Sequence, residues 1–77
     1  MEVSIYVVIV SCPDIYENLS KIDQIAIKYD RIDKTNREWT FNAEGIRGEG
    51  KKRTLDFFTE ILELEFVKSA TIIPVRS

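Results

Sequence analysis

The sequence predicts an α+β domain in the order β-α-β-β-α-β, in which two helices cover one face of a four-stranded antiparallel sheet. Three observations predict it. The chain opens on an uninterrupted β-branched run at residues 3–10 (VSIYVVIV) and closes on a second β-rich run at residues 66–75. Between these runs lie two stretches with apolar residues at helical spacing. Between the helices, alternating apolar and polar residues flank a short polar turn, which is the pattern of a hairpin.

The first run suits a central strand, because a strand buried on both faces needs no polar alternation. Ser11, Cys12, Pro13 and Asp14 follow. Ser11 and Asp14 have capping-box spacing, and proline is tolerated in a first helical turn, so a helix is expected to start here. Ile15, Leu19 and Ile22 define its apolar face. The stretch at 23–30 admits two readings. Ala26 and Tyr29 continue the helical spacing, whereas Ile25, Ile27 and Tyr29 alternate with Ala26, Lys28 and Asp30 as a strand would. The strand is preferred, because Lys34-Thr35-Asn36 reads as a turn and Trp39, Phe41 and Ala43 alternate with polar residues beyond it. A second helix is expected over 49–64, with Leu55, Phe58 and Leu62 on its buried face and Phe57, Ile61 and Leu64 widening it. Pro74, near the end of the last run, suits an edge strand. This order is the split βαβ, or ferredoxin-like, arrangement. It accounts for residues 1–77 as a single domain.

A chain of 77 residues buries only about 60% of the surface exposed when unfolded, so its core is thin. Cys12 is the only cysteine and there is no histidine, which removes an internal disulfide and the usual zinc sites. Self-association is then the expected way to add buried surface. The net charge of −2 gives no general attraction to nucleic acid or anionic membrane. Residues 3–10 follow Glu2 rather than basic residues and fall short of the ~20 needed to span a bilayer. No membrane segment is therefore expected, and the unpaired cysteine fits a cytoplasmic location.

An uncovered sheet face is inherent in this arrangement. With Val3, Ile5, Val7 and Ile9 assigned to the helices, Ser4, Tyr6, Val8 and Val10 face outward, joined by Ala70 and Ile72 from the last strand. Tyr6, Val8, Val10, Ala70 and Ile72 are thus the expected interface of a homodimer or of docking onto a protein partner, since apolar patches on small domains mark interfaces.

Residues 45–52 read GIRGEGKK. Gly45 and Gly50-Lys51 match the phosphate-loop spacing, but Lys52 stands where Ser or Thr should hold magnesium. The chain is also too short for a nucleotide-hydrolysing domain. A weaker site for a small anion, built from Gly48, Gly50, Lys51, Lys52 and Arg53 at a helix start, is the surviving candidate. The competing reading is a solvated basic turn whose glycines end the third strand. Cys12 precedes a helix, where thiol pKa values fall. However, Asn18 stands where a phosphatase-type thiol needs Arg, so Cys12 reads as structural. The carboxylates are scattered, and Asp30 and Asp33 match no calcium loop. Trp39 and Phe41 share a strand face with Lys28, Arg31 and Arg37 nearby, the elements of a single-stranded nucleic-acid surface, yet no RNA-recognition signature accompanies them. Trp39 is expected in the core.

Residues 38–75 resemble small regulatory modules of the NIL and ACT type. The resemblance is carried by a strand ending at Ile46, by Gly48, by a helix with Leu55 and Phe58, and by the closing stretch VKSATIIPV. It implies a non-enzymatic module that binds amino acids or other small effectors, often as a dimer. No ligand residue carries over, and Ser11-Cys12-Pro13 replaces the glycine that ACT domains place after the first strand. The expected function is therefore a non-catalytic regulatory or interaction module with no cofactor and no metal. The alternative is an acylphosphatase-like hydrolase, which needs an anion cradle and an Arg near the first loop. No Arg occurs at 13–19.

Overall fold

The computed structural model describes residues 2–44 and 49–76. The elements are β1 (Val3–Ser11), α1 (Tyr16–Lys28), β2 (Asp33–Thr35), β3 (Glu38–Asn42), α2 (Gly50–Leu62) and β4 (Ser69–Arg76). They form one four-stranded antiparallel sheet in the order β2-β3-β1-β4. This is the ferredoxin-like arrangement expected from the sequence. β1 lies inside, and β3 and β4 on its two flanks shield its apolar residues from the side as an edge position could not.

The face assignment of β1 is reversed relative to expectation. Val8 and Val10 are 0% and 2% exposed and belong to the core, whereas Ile9 is 36% exposed. Directly opposed residues of an antiparallel pair share a face. Val8 is opposite Trp39 on one side and Ile72 on the other, Tyr6 is opposite Phe41, and Val10 is opposite Ala70. Trp39 and Phe41 pack on Phe57 of α2, with ring centroids 6.4 and 4.8 Å apart. Tyr6, Val8, Val10, Ala70 and Ile72 therefore lie on the helix side and are not the outward surface. Burying two large rings beneath the helices settles the pairing, and β1, apolar at nearly every position, follows its partners.

The stretch at 23–30 is also corrected, because α1 runs on through Lys28. Ile22 and Ala26 are fully buried one turn apart, with Leu19, Ile25 and Tyr29 packed around them. A strand would have buried Ile27 with Ile25, yet Ile27 is exposed. The helix stops at Asp30, which takes φ 64°. The amide of Arg31 donates to the carbonyl of Ala26, and that of Asp30 to Ile27. This is a Schellman motif with Asp in the place glycine usually takes. β2 is consequently short, and the tight turn falls at Asn36–Arg37, with Asn36 at φ 53°.

The expected Ser11–Asp14 capping box does not form. Ser11 belongs to β1, and Ile15 is the N-cap without a side-chain cap bond. On α2 the buried line is Gly50, Thr54, Phe57 and Ile61, while Leu55 and Leu62 are exposed. The apolar residues of α2 outnumber those its contact can cover, so spacing alone could not centre the stripe. Val67 closes the core in the turn before β4.

Two polar clusters tie α1 to its surroundings. Glu60 on α2 accepts from Tyr29 Oη at 2.7 Å and Lys28 Nζ at 2.9 Å. Those two bonds hold its carboxyl below the usual range. Asp23 on α1 accepts from Arg31 Nε at 2.7 Å and from the indole Nε1 of the fully buried Trp39 at 3.0 Å.

Candidate functional site

The start of α2 was the sharpest motif in the sequence, and its geometry explains Gly50 without a phosphate. A Cβ on Gly50 would meet the carbonyl oxygen of Asn42 at 2.0 Å and that of Ala43 at 2.5 Å. The glycine is there so that the first turn of α2 can press against the end of β3. Its amide donates to the Glu44 carbonyl at 3.2 Å, and Thr54 Oγ1 caps its carbonyl at 2.8 Å. Gly45, Ile46, Arg47 and Gly48 lie outside the described residues. Of the candidate cations, Lys52 pairs with Asp56 one turn on at 3.1 Å. Arg53 pairs with Asp30 and stands 4.0 Å from Glu49. Lys51 is exposed. The carboxylates of Asp56, Asp30 and Glu49 thus offset the positive charge that opposes the helix dipole here.

Beside this turn a cleft of about 400 Å³ opens between the end of α1, β3 and α2. Tyr29, Ile32 and Phe41 give it an apolar lining, and Gly50 and the Asp30–Arg53 pair stand around it. Its volume falls within the range of small-molecule sites.

Cys12 packs half-buried against the core. Burial pushes its thiol pKa up, and the charge of Arg37 only partly opposes this. It is therefore a protonated structural thiol at neutral pH, as expected for a cysteine with apolar neighbours. The structure does bring an arginine to the first loop, but from the hairpin. Arg37 Nη1 stands 3.8 Å from Asp14 Oδ2, a juxtaposition invisible in sequence. The sheet aromatics offer no stacking surface, since Trp39 and Phe41 are buried under the helices. No cluster of three metal-ligating side chains occurs among the described residues, and no helix there is long and apolar enough to cross a membrane.

The open sheet face is the site that sequence reasoning populated wrongly. Val7 is flanked by Thr40 and Ile73, Ile5 by Asn42 and Val75, and Ile9 by Glu38 and Thr71. Ile9, Ile73 and Val75 are 36%, 41% and 37% exposed. The centre is thus an apolar field on β1 and β4. Asp33 and Thr35 pair with Thr40 and Glu38, so the acids of this face, Asp33 and Glu38, gather on the β2–β3 side. One signal in the sequence could have found it. Glu38, Thr40 and Asn42 are the polar residues of β3, and whatever β1 presents beside them is the uncovered face.

Fold and site together define a class: a small α+β domain with both helices on one face of its sheet and an apolar field on the other. Within that class the comparisons go no further, as no protein-family model, curated protein or solved structure matches the chain.

Proposed function

We propose that this chain is a small non-catalytic regulatory or interaction module of the cytoplasm whose working surface is the open sheet face. The observation that carries the reading is the apolar row Ile5, Val7, Ile9, Ile73 and Val75 on that face, in which Ile9, Ile73 and Val75 are exposed and Ile5 and Val7 half-buried, on a domain that has little core to spare. Exposed apolar fields of this kind cost solubility unless something covers them. The unpaired, protonated Cys12 supports the intracellular placement.

The reading is tested on the dilute chain. Val7→Glu, at a half-buried position, and Ile73→Glu, at an exposed one, are expected to change stability by about 1 kcal/mol, the span of strand propensity. Both should reduce binding of an apolar fluorescent dye, with Trp39 emission unchanged. Loss of folding in both variants would mean that the face is part of the core and would remove the reading.

A second reading is favoured by the cleft beside α2, namely a small anionic effector held near Gly50 and Lys51, with Arg53 released from Asp30. Titration with phosphate, a nucleotide or a small carboxylate should then shift the amide signals of residues 49–54. Signals that stay in place at millimolar ligand eliminate this second reading.

A further inference from the structure

We propose that the cleft between the end of α1, β3 and the start of α2 binds a small apolar zwitterion. Such a molecule carries an ammonium and a carboxylate on one short apolar frame, and an α-amino acid with an aromatic or branched aliphatic side chain is its simplest form. The inference rests on the second reading above and deepens it: the anion is a carboxylate, and the ligand brings its own cation. Tyr29, Asp30 and Ile32 of this cleft lie outside residues 38–75, so the site is not one that the resemblance to NIL and ACT modules supplies.

The cleft has two unlike halves. Tyr29, Ile32 and Phe41 make the apolar one. Ile32 is 54% exposed, although its amide is tied to the Thr40 carbonyl at 2.8 Å. It is thus a fixed apolar wall that a ligand's side chain can cover, with the gain that burying apolar surface brings. The volume of about 400 Å³ is at the small end of ligand sites. The polar half is the Asp30–Arg53 ion pair, one charge from each helix. Asp30 stands just past the C-terminus of α1, and Arg53 lies in the first turn of α2. Helix dipoles favour the reverse, with cations at the C-terminus and anions at the N-terminus. Each side chain therefore reinforces the pole of its own helix. The end of α1 with Asp30 attracts an ammonium, and the start of α2 with Arg53 attracts a carboxylate. Pairing with each other offsets the cost to the helices, and the reversed placement is of the kind expected where a site is built.

Charge balance disfavours simpler ligands. Arg53 faces two carboxylates, that of Asp30 and that of Glu49 at 4.0 Å. A lone anion that draws Arg53 away leaves both of them beside a further negative charge. A lone cation that draws Asp30 away takes from Arg53 its nearer partner. A zwitterion exchanges one ion pair for two, Asp30 with the ammonium and Arg53 with the carboxylate, and leaves neither side chain unpaired. Its apolar group then falls on Tyr29, Ile32 and Phe41, which line the same cleft.

The test is titration of the full chain with L-phenylalanine, followed by its amide NMR signals. Residues 29–32 and 49–54 should shift together, with a Kd in the millimolar range, because a ligand of about a dozen heavy atoms in an open cleft makes few contacts. 3-Phenylpropionate lacks the ammonium, 2-phenylethylamine the carboxylate and glycine the apolar group. Each should bind about tenfold more weakly or worse. Two variants separate the charged ends. Asp30→Asn, which suits the φ of 64° at this position, should weaken L-phenylalanine by about tenfold and leave 3-phenylpropionate no weaker. Arg53→Gln should weaken L-phenylalanine as much and leave 2-phenylethylamine no weaker. Trp39 emission reports whether each variant is folded, and should one fail, the analogue series on the native chain decides alone. L-Phenylalanine that binds no better than 3-phenylpropionate or 2-phenylethylamine, shifts only other residues, or binds a folded Asp30→Asn chain unchanged overturns the zwitterion. If phosphate or 3-phenylpropionate still shifts residues 49–54, the second reading stands without it. Signals at 49–54 that stay in place with every one of these ligands at millimolar concentration remove both.

Discussion

Replacing Gly50 with alanine is expected to destabilise the domain by about 2–4 kcal/mol, although the substitution improves intrinsic helix propensity by up to about 1 kcal/mol. The sign is decided by geometry. The added methyl would sit 2.0 and 2.5 Å from two backbone carbonyl oxygens, of Asn42 and Ala43. Neither oxygen can swing away as a side chain would. Either the end of β3 or the first turn of α2 must move, and Thr54 and Phe57, buried further along α2, move with it. For a domain of this size the melting temperature should fall by about 10–20 °C, read by circular dichroism. Lys51→Ala and Lys52→Ala should stay within about 0.5 kcal/mol of the native chain. An unchanged or raised melting temperature for Gly50→Ala would return the glycine to the loop and strengthen the anion reading of GIRGEGKK.

The second large effect centres on Asp23. Its carboxylate holds the indole N–H of a fully buried Trp39 and the guanidinium of Arg31 at once. Asp23→Ala leaves a buried donor and a cation without their acceptor, and is expected to cost about 2–4 kcal/mol at neutral pH. The hydrogen bonds from Arg31, first among the causes, hold the Asp23 pKa below the usual carboxylate value, against the opposing effect of burial. The folded value therefore lies below the unfolded one. The stabilisation is fully present above the unfolded carboxylate pKa of about 3.9 and is lost as pH falls through the lower folded value. Asp23→Asn keeps an acceptor for Trp39 but cannot titrate. Its urea midpoint should fall less between pH 7 and pH 3 than that of the native chain, with Trp39 emission as the reporter. Glu60 titrates in both proteins, so the difference isolates Asp23. Parallel pH profiles would show that the Asp23–Arg31 pair contributes nothing to folding.

The element order was legible because it rests on local signals: two β-branched runs, two helical periodicities and a polar turn. Places where one residue satisfied two periodicities were not. Tyr29 fits a helix with Ala26 and a strand with Ile27. What chose the helix was the burial of Ala26 beside Ile22 in the core. Leu55 and Leu62 were as plausible a buried face as Phe57 and Ile61, and the stripe was set by where α2 begins, against β3. The Asp23–Trp39 bond spans 16 residues and the Arg53–Asp30 pair 23. Neither has a spacing that could announce it.

The candidate surface shows the same division. That one face of the sheet stays uncovered and apolar follows from the composition of residues 3–10 and 66–75 with only two helices to cover them. Which side chains make that face was decided in three dimensions. An unbroken apolar strand has no phase of its own. β1 acquired one only through its register with Trp39 and Phe41, whose rings had to go inside, and that placed Val8 and Val10 under the helices and left Val7 and Ile73 to the open side.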